Sequence, residues 1–190
     1  MARAFLLDEA VPLLTLTGPG GVGKTRLALA IAQDVAEHFA DGVVFVDLAP
    51  LADAGVVAET IADCLGVSRG GDYPIPDTIV GQLRTEQRLL ILDNCEQVLA
   101  AVADLVAAVL SGCPAVQVLV TSRAPLRVRG EQVLAVRPLS LPASGSTTPS
   151  EVLEAAAVQL FVYRARSTEA TFTLEAQHAA AVAAICQRLD

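Results

Sequence analysis

The sequence has no tryptophan, two tyrosines and five phenylalanines, so it offers little aromatic surface for stacking bases. It has one lysine, Lys24, against an otherwise all-arginine set of cations. A lone lysine in an arginine-biased chain marks a place where a compact ammonium suits better than a planar fork. Positive charge is outnumbered overall: the formal net charge is −8. An acidic chain repels a phosphate backbone, which excludes direct DNA or RNA binding by this segment alone. A single nucleotide is not excluded, because main-chain N–H groups bind phosphate locally. The four cysteines, Cys64, Cys95, Cys113 and Cys186, contain no CxxC pair, and His38 and His178 are far apart. Zinc-ligand spacing is therefore lacking, and the cysteines read as small buried hydrophobes. A secretory leader is lacking too. The longest apolar run, Val98–Leu110, is broken by Asp104 and is too short for a bilayer. These absences place the chain in the cytoplasm, away from membranes.

What is present is ample core material. Of 190 residues, 53% are hydrophobic, enough for one α/β domain with a small appendage. Five apolar runs read as buried parallel strands: Leu13–Thr17, Val43–Leu48, Leu89–Asp93, Val116–Thr121 and Val133–Val136. They do not alternate with polar residues, as expected when both faces are covered. Helical spacing lies between them. Leu27, Ile31 and Val35 share one face. A second helix runs through Val57 and Ile61 to Gly66. Asp77 reads as the cap of a third, through Ile79, Val80 and Leu83. A fourth carries Val98, Val102, Leu105, Val106 and Val109, with Gly112 just past its end. Alternating strand and helix call for right-handed crossovers and a parallel sheet between helical layers. Residues 66–77 read as a Gly/Pro-rich surface loop, and 141–150 as a linker. The core is thus residues 1–140. A partial helical subdomain, 151–190, follows, with helices over Glu151–Arg166 and Glu175–Leu189.

Gly18, Pro19, Gly20, Gly21, Val22, Gly23, Lys24 and Thr25 fill the pattern G-x-x-x-x-G-K-[ST]. Background frequencies give this pattern in roughly one per cent of chains this long. Here a buried strand enters the loop and an amphipathic helix leaves it, the context the motif requires. Glycines permit positive φ, so that successive amides can turn around a phosphate. The helix N-terminus adds a positive dipole end. Lys24 is the ammonium for β- and γ-oxygens, and the Thr25 hydroxyl is a ligand for Mg²⁺.

Arg88–Asp93 is an apolar strand ending in a carboxylate, the form of a Walker B element, and this makes Asp93 the second contributor to the ion site. Many ATPases place a glutamate directly after that aspartate. Here Asn94 stands there, and Glu96 comes three residues after Asp93. Two readings of Glu96 stay open: it turns back to activate water, or it starts the next helix, where an acid suits the dipole. Slow hydrolysis follows from either. Val118–Arg123 ends another strand in a polar triplet, at the end where parallel sheets bind ligands. Arg123 reads as a γ-phosphate sensor or a surface ion pair, and Thr121 or Ser122 as a water-orienting hydroxyl. Asp47 either meets the metal's water shell or caps a loop, and Arg127 and Arg129 are solvated.

Taken together, the residues resemble a family. The run Leu14–Ala28 (LTLTGPGGVGKTRLA), which extends the loop through Arg26, is similar to the P-loop of STAND-class, NB-ARC-like signalling NTPases. The nearest likeness is to the ATPase domains of large bacterial transcriptional regulators, of the LuxR type or with a bacterial activator domain. Leu90–Glu96 (LILDNCE) resembles their Walker B segment, and Val120–Arg123 (VTSR) their sensor strand. Residues 158–166 and 184–190 resemble the start of their helical subdomain. The resemblance implies a three-layer P-loop NTPase with a five-stranded parallel sheet in the order 5-1-4-3-2. It implies ATP or ADP with Mg²⁺ as ligands, and DNA-binding and oligomerising domains elsewhere in a longer protein. The family's Gly-Leu-Pro segment, which helps enclose adenine, would begin where this sequence stops. Both ends read as cut, and affinity is expected to rest mostly on the phosphates.

The function so implied is a nucleotide-dependent switch with slow Mg²⁺-dependent hydrolysis. A small-molecule kinase is the alternative, with Arg69 in the 66–77 loop as a lid arginine, but an acceptor-binding cluster is not evident. A scaffold without nucleotide conflicts with the intact loop. A transporter ATPase conflicts with the lack of an LSGGQ-like signature.

Overall fold

The computed structural model describes residues 2–8, 10–67, 73–143 and 145–189. Two compact units divide the chain, Met1–Val136 and Arg137–Asp190. In the first, strands β1 (Leu13–Thr17), β2 (Val43–Asp47), β3 (Leu89–Asp93), β4 (Gln117–Ser122) and β5 (Glu131–Ala135) form one sheet. All pairings are parallel, and the order is β2-β3-β4-β1-β5. Read from the other edge this is the expected 5-1-4-3-2. The register aligns Thr17 with Ser122, and Asp47 with Asp93, so the strand tips end level.

Strand alternation sorts the apolar side chains into two cores. Leu90 and Leu92 of β3 and Val118 and Val120 of β4 face one way. There they pack with Ile61 of α3 (Val57–Leu65), Ile79 and Leu83 of α4 (Ile75–Leu83), and Val102 and Val109 of α5 (Leu99–Gly112). Leu89 and Ile91 face the other way with Leu119, Leu14 and Leu16. They meet Ala28, Ile31 and Val35 of α2 (Lys24–Val35) and Leu6 of α1 (Ala2–Leu6). Helix, sheet and helix thus make three layers. Each large aliphatic side chain so buried contributes about 1.5–3 kcal/mol.

Several expectations need correction. Burial on both faces holds for β1, β3 and β4, but not for the sheet edges. Phe45 on β2 is 38% exposed and Val133 on β5 is 40% exposed, because the flanking helices do not cover those strands fully. Strand β4 starts one residue later than expected, and β5 starts at Glu131, two residues earlier. Helix α1 was not foreseen. Asp77 does not cap α4: Pro74 precedes the helix, and Asp77 sits inside its first turn. Pro76 fits there because early helical N–H groups have no intrahelical acceptor. The proposed lid residue Arg69 lies outside the described residues. Cys95, Cys113 and Cys186 are buried and free, as expected, but Cys64 is exposed. No helix among the described residues is long and apolar enough to cross a membrane.

Gly112 is also not a residue past a helix end. It is the last residue of α5, and a Cβ there would lie 2.5 Å from Cγ1 of Val80 on α4. The glycine therefore serves close helix–helix approach.

The second unit has its own small core. Val152 of α6 (Pro149–Leu153), Val158 and Val162 of α7 (Ala156–Thr168), and Ala179, Val182 and Cys186 of α8 (Ala176–Arg188) pack together. Phe161 and Phe172 meet edge to face at 6.4 Å. The expected helix over 151–166 is two helices. Ala155 is extended, and the Ser140 hydroxyl accepts from the Ala156 amide at 2.9 Å to start α7 afresh. Helix α6 begins within the stretch read as a linker, under a capping box. The Thr148 hydroxyl accepts from the Glu151 amide, and the Glu151 carboxylate from the Thr148 amide.

Two outcomes follow. Gly112→Ala lowers stability by about 1 kcal/mol, since overpacking outweighs the gain in helix propensity. In a Val80→Ala background the same change becomes stabilising, and urea unfolding of the four proteins checks the reversal. The amides of Thr148 and Thr147 hold the Glu151 carboxyl below its ordinary value of 4.5. A lowered folded-state value means that its stabilisation is complete above the unfolded value and fades as pH falls through the folded one. Helical signal from the second unit therefore weakens on acidification below about pH 4.5. Glu151→Ala removes that part of the pH dependence in circular-dichroism titrations.

Candidate phosphate-binding site

The site forms where β1 passes into α2. Gly18, Gly21 and Gly23 all have positive φ, at 154°, 80° and 96°. Gly18 is constrained twice, since a Cβ there would also lie 2.7 Å from the Val136 carbonyl oxygen. The Val136 amide in turn donates to the Thr17 carbonyl at 2.7 Å, so the chain just after β5 fixes the start of the loop. Helix α2 begins at Lys24 with no side-chain cap. Its first-turn amides thus lack a side-chain acceptor, the arrangement that helix N-termini offer to anions.

Lys24 is only 6% exposed. Its ammonium donates to the carbonyls of Gly18 at 3.0 Å and Pro19 at 2.9 Å, which holds the charge inside the curve of the loop. Pro19, Gly20, Gly21 and Arg26 are exposed, and Val22 is partly buried.

Asp93 is the other fixed point, a carboxylate at 1% exposure. The Thr25 hydroxyl lies 2.9 Å from each of its oxygens. The Thr121 hydroxyl of β4 donates to Oδ1, and the Asn94 side-chain amide donates to Oδ2 at 2.9 Å. The Asn94 main-chain N–H donates to Thr121 Oγ1 at 3.0 Å. Thr121 is therefore committed to Asp93 rather than to orienting water. Ser122 Oγ accepts from the Ala124 amide at 3.3 Å, a turn role.

Glu96 does not begin α5. It lies in a short 3-10 turn, Cys95–Gln97, and its Oε1 is 3.5 Å from the Arg123 Nε. The other oxygen, Oε2, is buried with no hydrogen-bond partner among the described residues. Arg123 is 68% exposed along its side chain, and its Nη2 lies 3.6 Å from where a side chain on Gly20 would begin. The arginine thus pairs with the turn after β3 and lies close to the glycine loop. Asp47 accepts from the Ala49 amide at 2.9 Å, a loop cap, and from Asn94 Nδ2 at 3.3 Å. Arg127 and Arg129 are exposed. Burial first, then the charges of Asp93 and Glu96, pushes the Cys95 thiol far up, so it stays neutral and serves as core.

The structure brings Lys24, Thr25 and Asp93 together at one end of the sheet, and sets Glu96 against Arg123 beside them. The sequence reading missed Asn94 as a contributor. Its signal was local: asparagine is a residue that tolerates the left-handed conformation, and Asn94 has φ 60°. Among the described residues no cluster of three or more His, Cys, Asp or Glu is arranged for a metal. The oxygens of Thr25 and Asp93 are hard donors of the kind that suit Mg²⁺ as part of a shared set.

Known proteins share this architecture. An HTH-type transcriptional regulator of Mycobacterium tuberculosis, provisionally assigned as such, is 40% identical over 188 residues, which are 99% of this chain and 20% of that protein. The chain thus spans about one fifth of that relative's length. The regulatory protein AfsR of Streptomyces griseus is 34% identical over 116 residues, 57% of this chain and 11% of that one. Among solved structures, the Aeropyrum pernix ORC2 protein, in ADPNP–ADP complexes, superposes with a TM-score of 0.57 at 16% identity. It covers 87% of this chain and 50% of that one, a likeness of fold. Residues 2–129 match the NB-ARC domain model, well over half of the sequence, and the chain belongs to the NB-ARC domain family.

Proposed function

We propose that this chain is an ATP- and ADP-binding switch module, with slow Mg²⁺-dependent hydrolysis, working in the cytoplasm within a larger transcriptional regulator. One observation carries the reading. A glycine loop with three positive-φ glycines, a buried lysine and a Thr25–Asp93 pair converge at one helix N-terminus. A bound Mg²⁺ would neutralise phosphate charge and polarise the phosphoryl group.

This chain's own residues divide the work. The loop from Gly18 to Gly23 and the start of α2, with Lys24, Thr25 and the neighbouring Arg26, hold the phosphates. Thr25 and Asp93 hold the metal. Lys24 carries the compensating positive charge from inside the loop. Arg123 distinguishes a third phosphate from its absence by exchanging Glu96 for it. The position directly after Asp93 is occupied by an amide rather than a carboxylate, and Glu96 is engaged by Arg123. Neither arrangement presents a free base, which supports slow turnover. The 40% identical relative, a provisionally assigned regulator, supports the regulatory setting. The net charge of −8 supports leaving nucleic-acid contacts to other domains.

Lys24→Ala lowers affinity for both nucleotides by roughly a hundredfold, the cost of a lost charge-assisted contact. Isothermal titration with Mg²⁺-ADP and Mg²⁺-ATP measures it, and unchanged affinity would reject the site. Arg123→Ala weakens ATP about tenfold and leaves ADP within about twofold. Equal loss for both nucleotides would remove Arg123 from the sensing role.

A further inference from the structure

We infer that Asn94 is a positioning residue for the metal carboxylate, joining the carboxylates at the tips of β2 and β3; this rests on the reading of Thr25 and Asp93 as the metal pair. Asp47 and Asp93 are register partners on neighbouring parallel strands. Two carboxylates side by side repel each other, and Asp93 has almost no access to screening water, being 1% exposed. Asn94 answers both problems with one side chain. Its Nδ2 donates to Asp93 Oδ2 at 2.9 Å and to Asp47 Oδ1 at 3.3 Å. An amide nitrogen carries two donor hydrogens, one for each carboxylate. The backbone takes part as well, since the Asn94 N–H donates to Thr121 Oγ1 at 3.0 Å and the Thr121 hydroxyl donates to Asp93 Oδ1.

The arrangement needs the left-handed backbone at this position, φ 60° and ψ 48°. Among residues with side chains, asparagine and aspartate adopt it most readily, and aspartate would add a third carboxylate instead of two donors. A glutamate there would lose both the backbone preference and the donors. Position 94 is thus given to holding the metal ligand, not to activating water. Asp47 is held beside the pair through the same amide, as a neighbouring charge that the amide offsets.

Asn94→Gly is the informative variant, because glycine keeps the left-handed backbone and the N–H to Thr121 while deleting the amide. ADP affinity is measured by titration calorimetry with Mg²⁺ and with EDTA, for the wild type, Asn94→Gly, Asp47→Asn and the double variant. The Mg²⁺-to-EDTA affinity ratio falls about tenfold in Asn94→Gly, while the EDTA affinity stays within about twofold. Asp47→Asn removes the repelling charge, so the double variant recovers most of the ratio, a non-additivity expected of directly coupled groups. An unchanged ratio, or equal loss with and without Mg²⁺, overturns the positioning role while wild-type binding still stands. Additive single effects overturn the link to Asp47. Wild-type binding that is indifferent to Mg²⁺, or absent, overturns the metal-pair reading and this inference with it.

Discussion

The buried carboxylate of Asp93 is the constraint on which the site depends. A charge removed from water is costly unless hydrogen bonds replace its solvation. Here Thr25 comes from α2, Thr121 from the tip of β4, and Asn94 from the residue after β3. Those donors reach Asp93 only if β3 and β4 are neighbours in register and α2 starts beside them. Strand order, register and helix start are therefore coupled to one side chain. The residues closing the circuit are far apart in sequence, Thr25 and Asp93 by 68 positions.

The glycine loop is fixed from a different side. The chain leaving β5 places the Val136 carbonyl where a side chain on Gly18 would have to go. The chain leaving this partly covered edge strand thus excludes a side chain from the first loop position. Lys24 then donates back to the loop through Gly18 and Pro19. Backbone shape and buried ammonium support each other, since the carbonyls that a tight turn points inward are the ones the lysine neutralises.

Much of the fold was legible because strand and helix periods were clean. The continuous apolar runs at Leu13–Thr17 and Leu89–Asp93 match their strands end to end. The pattern was weaker at the edges, where Phe45 and Val133 are as apolar as core residues yet partly exposed. Hydrophobicity records what a position can bury, and not whether a neighbour covers it. Gly112 was misread for a related reason: a glycine near a helix end serves either a left-handed cap or close packing, and only the Val80 contact decides. In the site, loop and strand-tip aspartate could be read from spacing. The donors on Asp93 could not, because Thr121 and Asn94 reach it through strand adjacency and a left-handed turn. The same applies to the contact between Glu96 and Arg123, which joins the ends of two separate strands.

The polar groups near the loop differ in how firmly they are held, and that difference bears on the proposed switch. Asp93 and Thr121 are buried and locked in a closed set of hydrogen bonds. Arg123 is mostly exposed and meets Glu96 at 3.5 Å. An exposed ion pair is worth about 1 kcal/mol or less, so a more highly charged partner can displace it at small cost. Glu96 has one buried oxygen with no partner among the described residues, so losing the arginine costs it something, and an incoming group has to offset that cost. A ligand shifts an equilibrium only through contacts that differ between states. On the proposed reading, the Asp93 network meets only what ATP and ADP share, and it would give affinity without discrimination. On that reading discrimination falls to the group with a replaceable partner, and beside this loop that group is Arg123.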